Sequence, residues 1–191
     1  VDPAAMKVVD RFKVGLGPQH IVPSWDLRTL WVTNNAEGRT DGSLTPIDPK
    51  SGKPGQPVPV DDPYNMYFTP DGKSAIVVAE ARRRLDFRDP KTMASQYSID
   101  VPDCPGVNHA DFAIDGRFAI FTCEFSGTLV KIDLVDRKVL GYLKLQMPAT
   151  RFKESRDAPR AQVGKVWEPG ETELCTVTKG MPQDIRISPD G

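Results

Sequence analysis

At 191 residues, 39% hydrophobic and 27% charged, the chain has the composition of an ordinary globular domain, far from the disordered class. A net charge of −1 supplies no global field to recruit nucleic acid or an anionic membrane surface. No apolar run approaches the ~18 residues that a membrane-crossing helix requires.

The opening Val1-Asp2-Pro3-Ala4-Ala5 carries no leader pattern, so composition leaves the compartment open. Lys7 to Val14 reads as an outer strand, being similar to Lys138 to Leu145 further on. Pro23-Ser24-Trp25-Asp26 then forms a turn, followed by a strand over Thr29 to Thr33 and a second hairpin at Leu44 to Asp48, closed by Pro49-Lys50-Ser51-Gly52. The same order returns twice. Phe68-Thr69-Pro70-Asp71-Gly72 precedes strands at Ser74 to Ala79 and Leu85 to Arg88, with Asp89-Pro90-Lys91-Thr92 as the closing turn. Phe112-Ala113-Ile114-Asp115-Gly116 precedes strands at Phe118 to Cys123 and Leu129 to Asp133, with Val135 to Lys138 closing. Asp and Gly recur in these turns because they tolerate the positive φ that tight hairpins demand. Ile187-Ser188-Pro189-Asp190-Gly191 starts the order a fourth time.

The turn aspartates Asp26, Asp71 and Asp115 lie about 45 residues apart, the length of one four-stranded blade. The expected fold is therefore all-β: a β-propeller of four-stranded antiparallel blades, roughly three complete blades with partial flanking blades. Blade-like repeats are expected over 16–60, 61–100 and 101–145, with the next blade starting at 181–191. Gln146 to Gly180 is an inserted loop, either an ordered lid or a mobile segment. The chain thus reads as part of a propeller, beginning with an outer strand and stopping inside a first hairpin; the remaining blades would come from the rest of a longer chain.

Four strings carry a family resemblance. Ser188-Pro189-Asp190-Gly191 resembles the SPDG turn of the YVTN-repeat seven-bladed β-propellers, as does Thr69-Pro70-Asp71-Gly72. Trp31-Val32-Thr33-Asn34-Asn35 is similar to their YVTN strand, and Val130-Lys131-Ile132-Asp133 to their V-x-V-I-D strand. The resemblance covers nearly all of the chain except Gln146 to Gly180. It implies a secreted or periplasmic protein, and it is silent on activity because the family hosts surface-layer proteins, binding proteins and redox domains alike.

Two histidines occur, His20 and His109, each preceding its turn aspartate by the same interval. Asn65 and Asp184 hold that position in the other repeats. In a four-stranded blade this position opens the innermost strand, at the mouth of the central channel. Asn35, Glu80 and Glu124 end the second strand on the same side. The expected ligand-binding rim is thus His20, Asn35, Asn65, Glu80, His109, Glu124 and Asp184. Of these, His20, His109, Glu80 and Glu124 are also metal-ligand types for zinc, copper or iron and the natural parts for acid–base work. The competing structural reading is that polar groups here hydrogen-bond neighbouring loops and hold blades together.

Cys104, Cys123 and Cys175 include no Cys-x-x-Cys pair; one disulfide with one thiol, and three buried thiols, both fit. Arg82-Arg83-Arg84 reads as a solvated loop before it reads as a phosphate site. Trp25, Trp31 and Trp167 read as packing residues before sugar platforms. No GxSxG, phosphate loop, HExxH, EF-hand loop or haem-attaching CxxCH is present. The functional expectation is an extracytoplasmic binding or scaffold propeller, presenting its rim to a small ligand or protein partner, with no catalytic residue assigned and no cofactor required. The alternative is a metal- or haem-dependent oxidoreductase domain resembling those of cytochrome d1 or nitrous oxide reductase, and behind it a lactonase-like hydrolase.

Overall fold

The computed structural model describes residues 1–39, 41–145 and 182–188, together with the backbone of three strands between 150 and 178. The chain divides into two compact units, Val1–Ile99 and Asp100–Gly191. All regular structure among the described residues is strand, and no helix of the structure is long and apolar enough to cross a membrane.

In the first unit, β1 (Pro18–Pro23), β2 (Leu30–Asn34), β3 (Ser43–Ile47) and β4 (Val58–Pro59) form one four-stranded antiparallel sheet in chain order. β5 (Pro63–Phe68), β6 (Ala75–Ala79), β7 (Arg84–Arg88) and β8 (Ser95–Asp100) form the next. The second unit repeats the plan with β9 (Val107–Phe112), β10 (Phe118–Cys123), β11 (Thr128–Asp133) and β12 (Lys138–Lys144). These are the three four-stranded units that the turn spacing predicts. Inside the segment expected as an inserted loop, β13 (Thr150–Glu154), β14 (Lys165–Val166) and β15 (Leu174–Thr178) pair in the order β13-β15-β14. The rest of that segment, Trp167 included, and Pro189-Asp190-Gly191 lie outside the described residues.

The turns explain why the sheets form where they do. In the β1–β2 turn, Ser24 N–H donates to Thr29 O (2.7 Å) and Leu27 N–H to Ser24 O (2.9 Å). Thr69, Ser74 and Gly72 repeat this geometry in β5–β6, as do Ala113, Phe118 and Gly116 in β9–β10. The third turn residue is left-handed in every case: Leu27 at φ 59°, Gly72 and Gly116 at 68°. The outer hairpins close on a second aspartate set. Asp48 Oδ1 accepts from Lys50 and Ser51 N–H, Asp89 Oδ1 from Lys91 and Thr92, and Asp133 Oδ1 from Val135 and Asp136.

These turn carboxylates sit below the usual aspartate range. The Ser24 hydroxyl lowers Asp26 and the Thr69 hydroxyl lowers Asp71; backbone N–H groups of Lys50, Thr92 and Asp136 lower Asp48, Asp89 and Asp133. A depressed folded-state pKa gives stability that is present above the unfolded value and lost as pH falls through the folded one. Acid titration followed by circular dichroism should therefore show stability constant down to about pH 4 and declining below it. Asp48→Asn should shrink that decline, because the amide still accepts from the turn but no longer titrates.

Between the sheets of the first unit lies a core of Trp31, Leu44, Val60, Met66, Ala75, Val77 and Met93, all buried. Strand alternation sends Ile76 and Val78 to the other face of β6, opposite Phe87 and Leu85 across the ladder, and these four are fully buried as well. Phe87 stacks on Tyr97 with ring centres 4.4 Å apart. Trp31 is thus a core residue, as its type suggests. The Arg82–Arg84 run is largely neutralised: Arg82 forks onto Asp61 (3.0 and 3.2 Å), and Arg84 onto Asp86 (2.7 and 3.0 Å), which also accepts from Ser98 (2.6 Å). Asp62, pushed up by burial, accepts the Ala81 and Arg82 N–H groups and ties the β6–β7 turn to the segment leading into β5.

Two expectations need amendment. Residues 8–14 form no strand; the segment has only an Asp2–Lys7 bridge at its start, and Val8, Val9 and Phe12 are exposed. A strand exists only through a partner's N–H and C=O groups, and among the described residues none pairs with this segment. The cysteine alternatives also resolve: Cys104 and Cys123 form a disulfide, both fully buried. In the repeat register these two positions correspond to Gly15 with Asn34 and to Val60 with Ala79. The chain passes close there in the first sheet too, since a Cβ on Gly15 would lie 2.7 Å from Asn34 Cγ.

Candidate functional site

Each innermost strand starts with a register irregularity at the same place. It falls between Pro18 and His20 in β1, between Pro63 and Asn65 in β5, and opposite Phe121 to Cys123 in β9. A bulge re-aims the side chains that follow it, and His20, Asn65 and His109 stand at these three bulges.

In the first unit, the imidazole of His20 is half-buried and its Nδ1 lies 3.0 Å from the Tyr64 carbonyl oxygen on the neighbouring sheet. The Thr33 hydroxyl donates to that same oxygen at 2.9 Å, and the His20 ring meets the Tyr64 ring edge-on at 5.1 Å. Facing a carbonyl oxygen, which can only accept, Nδ1 is the donating nitrogen of the ring. The backbone N–H of His20 in turn donates to Thr33 Oγ1 at 3.1 Å. His20 and Thr33 therefore act together as a clasp between two sheets. Asn35 is buried, its N–H donating to Gly17 O (3.1 Å) while its Oδ1 accepts from Gln19 (3.4 Å). Asn65 is buried and uses its amide on Tyr67 Oη (3.0 Å) and its Oδ1 on the Met66 N–H (2.8 Å). Glu80 is half-buried at the end of β6, where its carbonyl closes the turn to Arg83 N–H.

The second unit repeats the bond between the two strands, here within a single sheet. His109 N–H donates to Thr122 Oγ1 (3.1 Å) as His20 N–H does to Thr33. Asn108, fully buried, links the group: its Oδ1 takes the His109 N–H (2.6 Å) and the Thr122 hydroxyl, and its amide donates to Glu124 Oε2 (2.9 Å). Glu124 is further fixed by its N–H on Gly106 O (2.9 Å). Asp184 is exposed and pairs with Arg186 (2.8 Å), in a segment whose Ile187 N–H reaches Asp111 Oδ2 on β9 (2.7 Å).

The structure thus brings His20 to the sheet bearing Asn65, and it brings His109 to Glu124 through Asn108. Among the described residues, no three His, Cys, Asp or Glu side chains group as metal ligands, the candidates His20, Glu80, His109 and Glu124 included. Sequence reading missed Thr33, Thr122, Gln19 and Asn108. The threonines carried a signal, because Thr33 and Thr122 are separated by the same interval as the two histidines.

No family model matches the chain, and no curated sequence is similar to it. Solved structures are similar in fold. Hydrazine synthase of Kuenenia stuttgartiensis is 22% identical with a TM-score of 0.58, over 72% of this chain and 39% of that one. The periplasmic gluconolactonase of Pseudomonas aeruginosa is 19% identical with a TM-score of 0.56, over 73% of this chain and 47% of that one. The Cps50 (Swd1) β-propeller domain of Myceliophteria thermophila is 16% identical with a TM-score of 0.52, over 70% and 45%. The chain therefore spans less than half the length of each of these structures. At such identities the likeness carries the fold alone.

Proposed function

Taking a partial β-propeller of four-stranded blades as the premise, we propose that this protein is an extracytoplasmic binding or scaffold propeller whose innermost strands present a polar rim to a small ligand or protein partner. The observation that carries this reading is the bulge repeated at the head of β1, β5 and β9, which places His20, Asn65 and His109 at equivalent positions. Placement outside the cytoplasm, in keeping with the YVTN resemblance, is supported by the Cys104–Cys123 disulfide, since such bonds persist mainly in oxidising compartments.

The test is a thermal-shift screen of wild type and a His20→Ala/His109→Ala variant against a panel of small metabolites and divalent metals. Without ligand, the variant should lose about 1 kcal/mol at His20, because Thr33 keeps the Tyr64 carbonyl satisfied. At least one compound should raise the melting temperature of wild type and not of the variant. A loss of several kcal/mol with no compound distinguishing the two would make the histidines blade-to-blade glue and nothing more. A shift by a metal alone would favour the oxidoreductase alternative.

A further inference from the structure

The first unit holds a hollow that the rim residues do not line. It measures about 460 Å³ and is lined by Asp41, Pro57, Pro59, Val60, Asp61 and Arg88 among others. That volume lies in the range of small-molecule sites, roughly 300–1,000 Å³. Strand alternation puts Arg84, Asp86 and Arg88 on one face of β7, opposite Ala79, Val77 and Ala75 across the ladder. Ala75 and Val77 pack into the core shared with Trp31 and Leu44, so this charged row faces the first sheet.

Three arginines of this unit are satisfied in one way. Arg39, Arg82 and Arg84 each set Nε and Nη2 on a single carboxylate, those of Asp41, Asp61 and Asp86 in turn. That edge of the guanidinium matches the two oxygens of a carboxylate, and the fork is among the strongest pairings either group makes. Arg88 departs from the pattern. Its Nη1 donates to Met93 O (2.9 Å), which fixes the guanidinium against the β7–β8 turn, and it forms no ion pair among the described residues. Its Nε is buried with no hydrogen-bond partner. An N–H shut off from water without an acceptor is costly and rare in folded proteins.

The edge that Arg88 leaves over is the Nε–Nη2 edge, the one that the other three place on carboxylates. The nearby carboxylates of the chain are committed elsewhere. Asp41 and Asp61 hold Arg39 and Arg82, Asp62 takes the Ala81 and Arg82 N–H groups, and Asp89 takes those of Lys91 and Thr92. An acceptor with two oxygens is what this edge lacks. We propose that the hollow binds a small monocarboxylate with an apolar body, its oxygens on the Arg88 edge and its body against Pro57, Pro59 and Val60. Arg88 selects the charge, while Asp41 and Asp61 in the wall disfavour a second negative group on the ligand.

The probe is hydrocinnamate, titrated into the full chain isotopically labelled for heteronuclear NMR. Binding should be saturable and should shift the Arg88 Nε–H resonance. Hydrocinnamyl alcohol, which has no charge, and acetate, which has no apolar body, should each bind about tenfold more weakly or worse. Arg88→Lys should weaken hydrocinnamate about tenfold as well, because an ammonium keeps the charge and loses the fork. The ligand comparison runs on wild type alone, so it holds however the variant folds. Alcohol binding as tight as that of the acid, wild-type affinity in Arg88→Lys, or the absence of a saturable shift would each overturn the proposal. So would tighter binding of phenylpropylamine, which would make Asp41 and Asp61 the selecting groups and the ligand a cation.

Discussion

Replacing Cys104 and Cys123 together with alanine should lower the stability of the unit spanning Asp100–Gly191 by about 3 kcal/mol. The disulfide closes a loop with a sequence separation of 19, and its main contribution is to remove conformations from the unfolded chain. It also fixes the segment entering β9 against the end of β10, where Gly106 O accepts from Glu124 N–H and Pro105 O from Phe125 N–H (3.2 Å). Equilibrium denaturation in urea is the measurement, run with and without reductant. Wild type in reductant should follow the alanine variant, and Cys175, present in both, serves as the control. A difference below about 1 kcal/mol would mean that the two thiols contribute no covalent restraint.

The same geometry should be transferable. Val60 and Ala79 occupy the equivalent positions in the preceding repeat, both buried, with the same residue separation. Val60→Cys combined with Ala79→Cys should crosslink spontaneously in air, detected by peptide mapping without reductant. The closed loop should add about 3 kcal/mol, from which the lost Val60 methyl contacts with the core subtract about 1 kcal/mol. A pair that stays reduced would show that the strand register, though shared, does not bring these two backbones to bonding distance.

Much of the fold was legible because it rests on local chemistry. Asp71-Gly72 and Asp115-Gly116 announce hairpins whatever surrounds them, and their spacing counts strands. The Trp25-Asp26-Leu27 turn was found only through that spacing, and its left-handed leucine was invisible, since nothing in a leucine signals positive φ. The strand expected over Lys7 to Val14 shows the reverse error: its pattern is that of β12, but pattern cannot supply a neighbouring edge. The candidate site was legible as positions and not as contacts. His20 and His109 stood out by register, yet the Tyr64 carbonyl that His20 meets belongs to another sheet and is a backbone atom, which no residue pattern marks. The disulfide was undecided for a related reason. Across repeats Cys104 and Cys123 align with Gly15 and Asn34, and only the three-dimensional structure shows that those two positions touch.

Each of the three four-stranded sheets is joined strictly in chain order, and this has a consequence for how the protein is made. After the first, each strand in these sheets pairs with the one synthesised just before it, so no sheet waits for distant sequence, and contacts local in sequence form fastest. β1 to β4 can be complete before β5 is translated. Tyr64, whose carbonyl receives His20 and Thr33, is then among the first residues of the second sheet to reach the finished first one. In the third sheet, Cys123 ends the second strand, so both sulfurs are available before β11 and β12 have been made. The bond can be set on a half-built sheet, and the two outer strands are then added to a hairpin already locked in register.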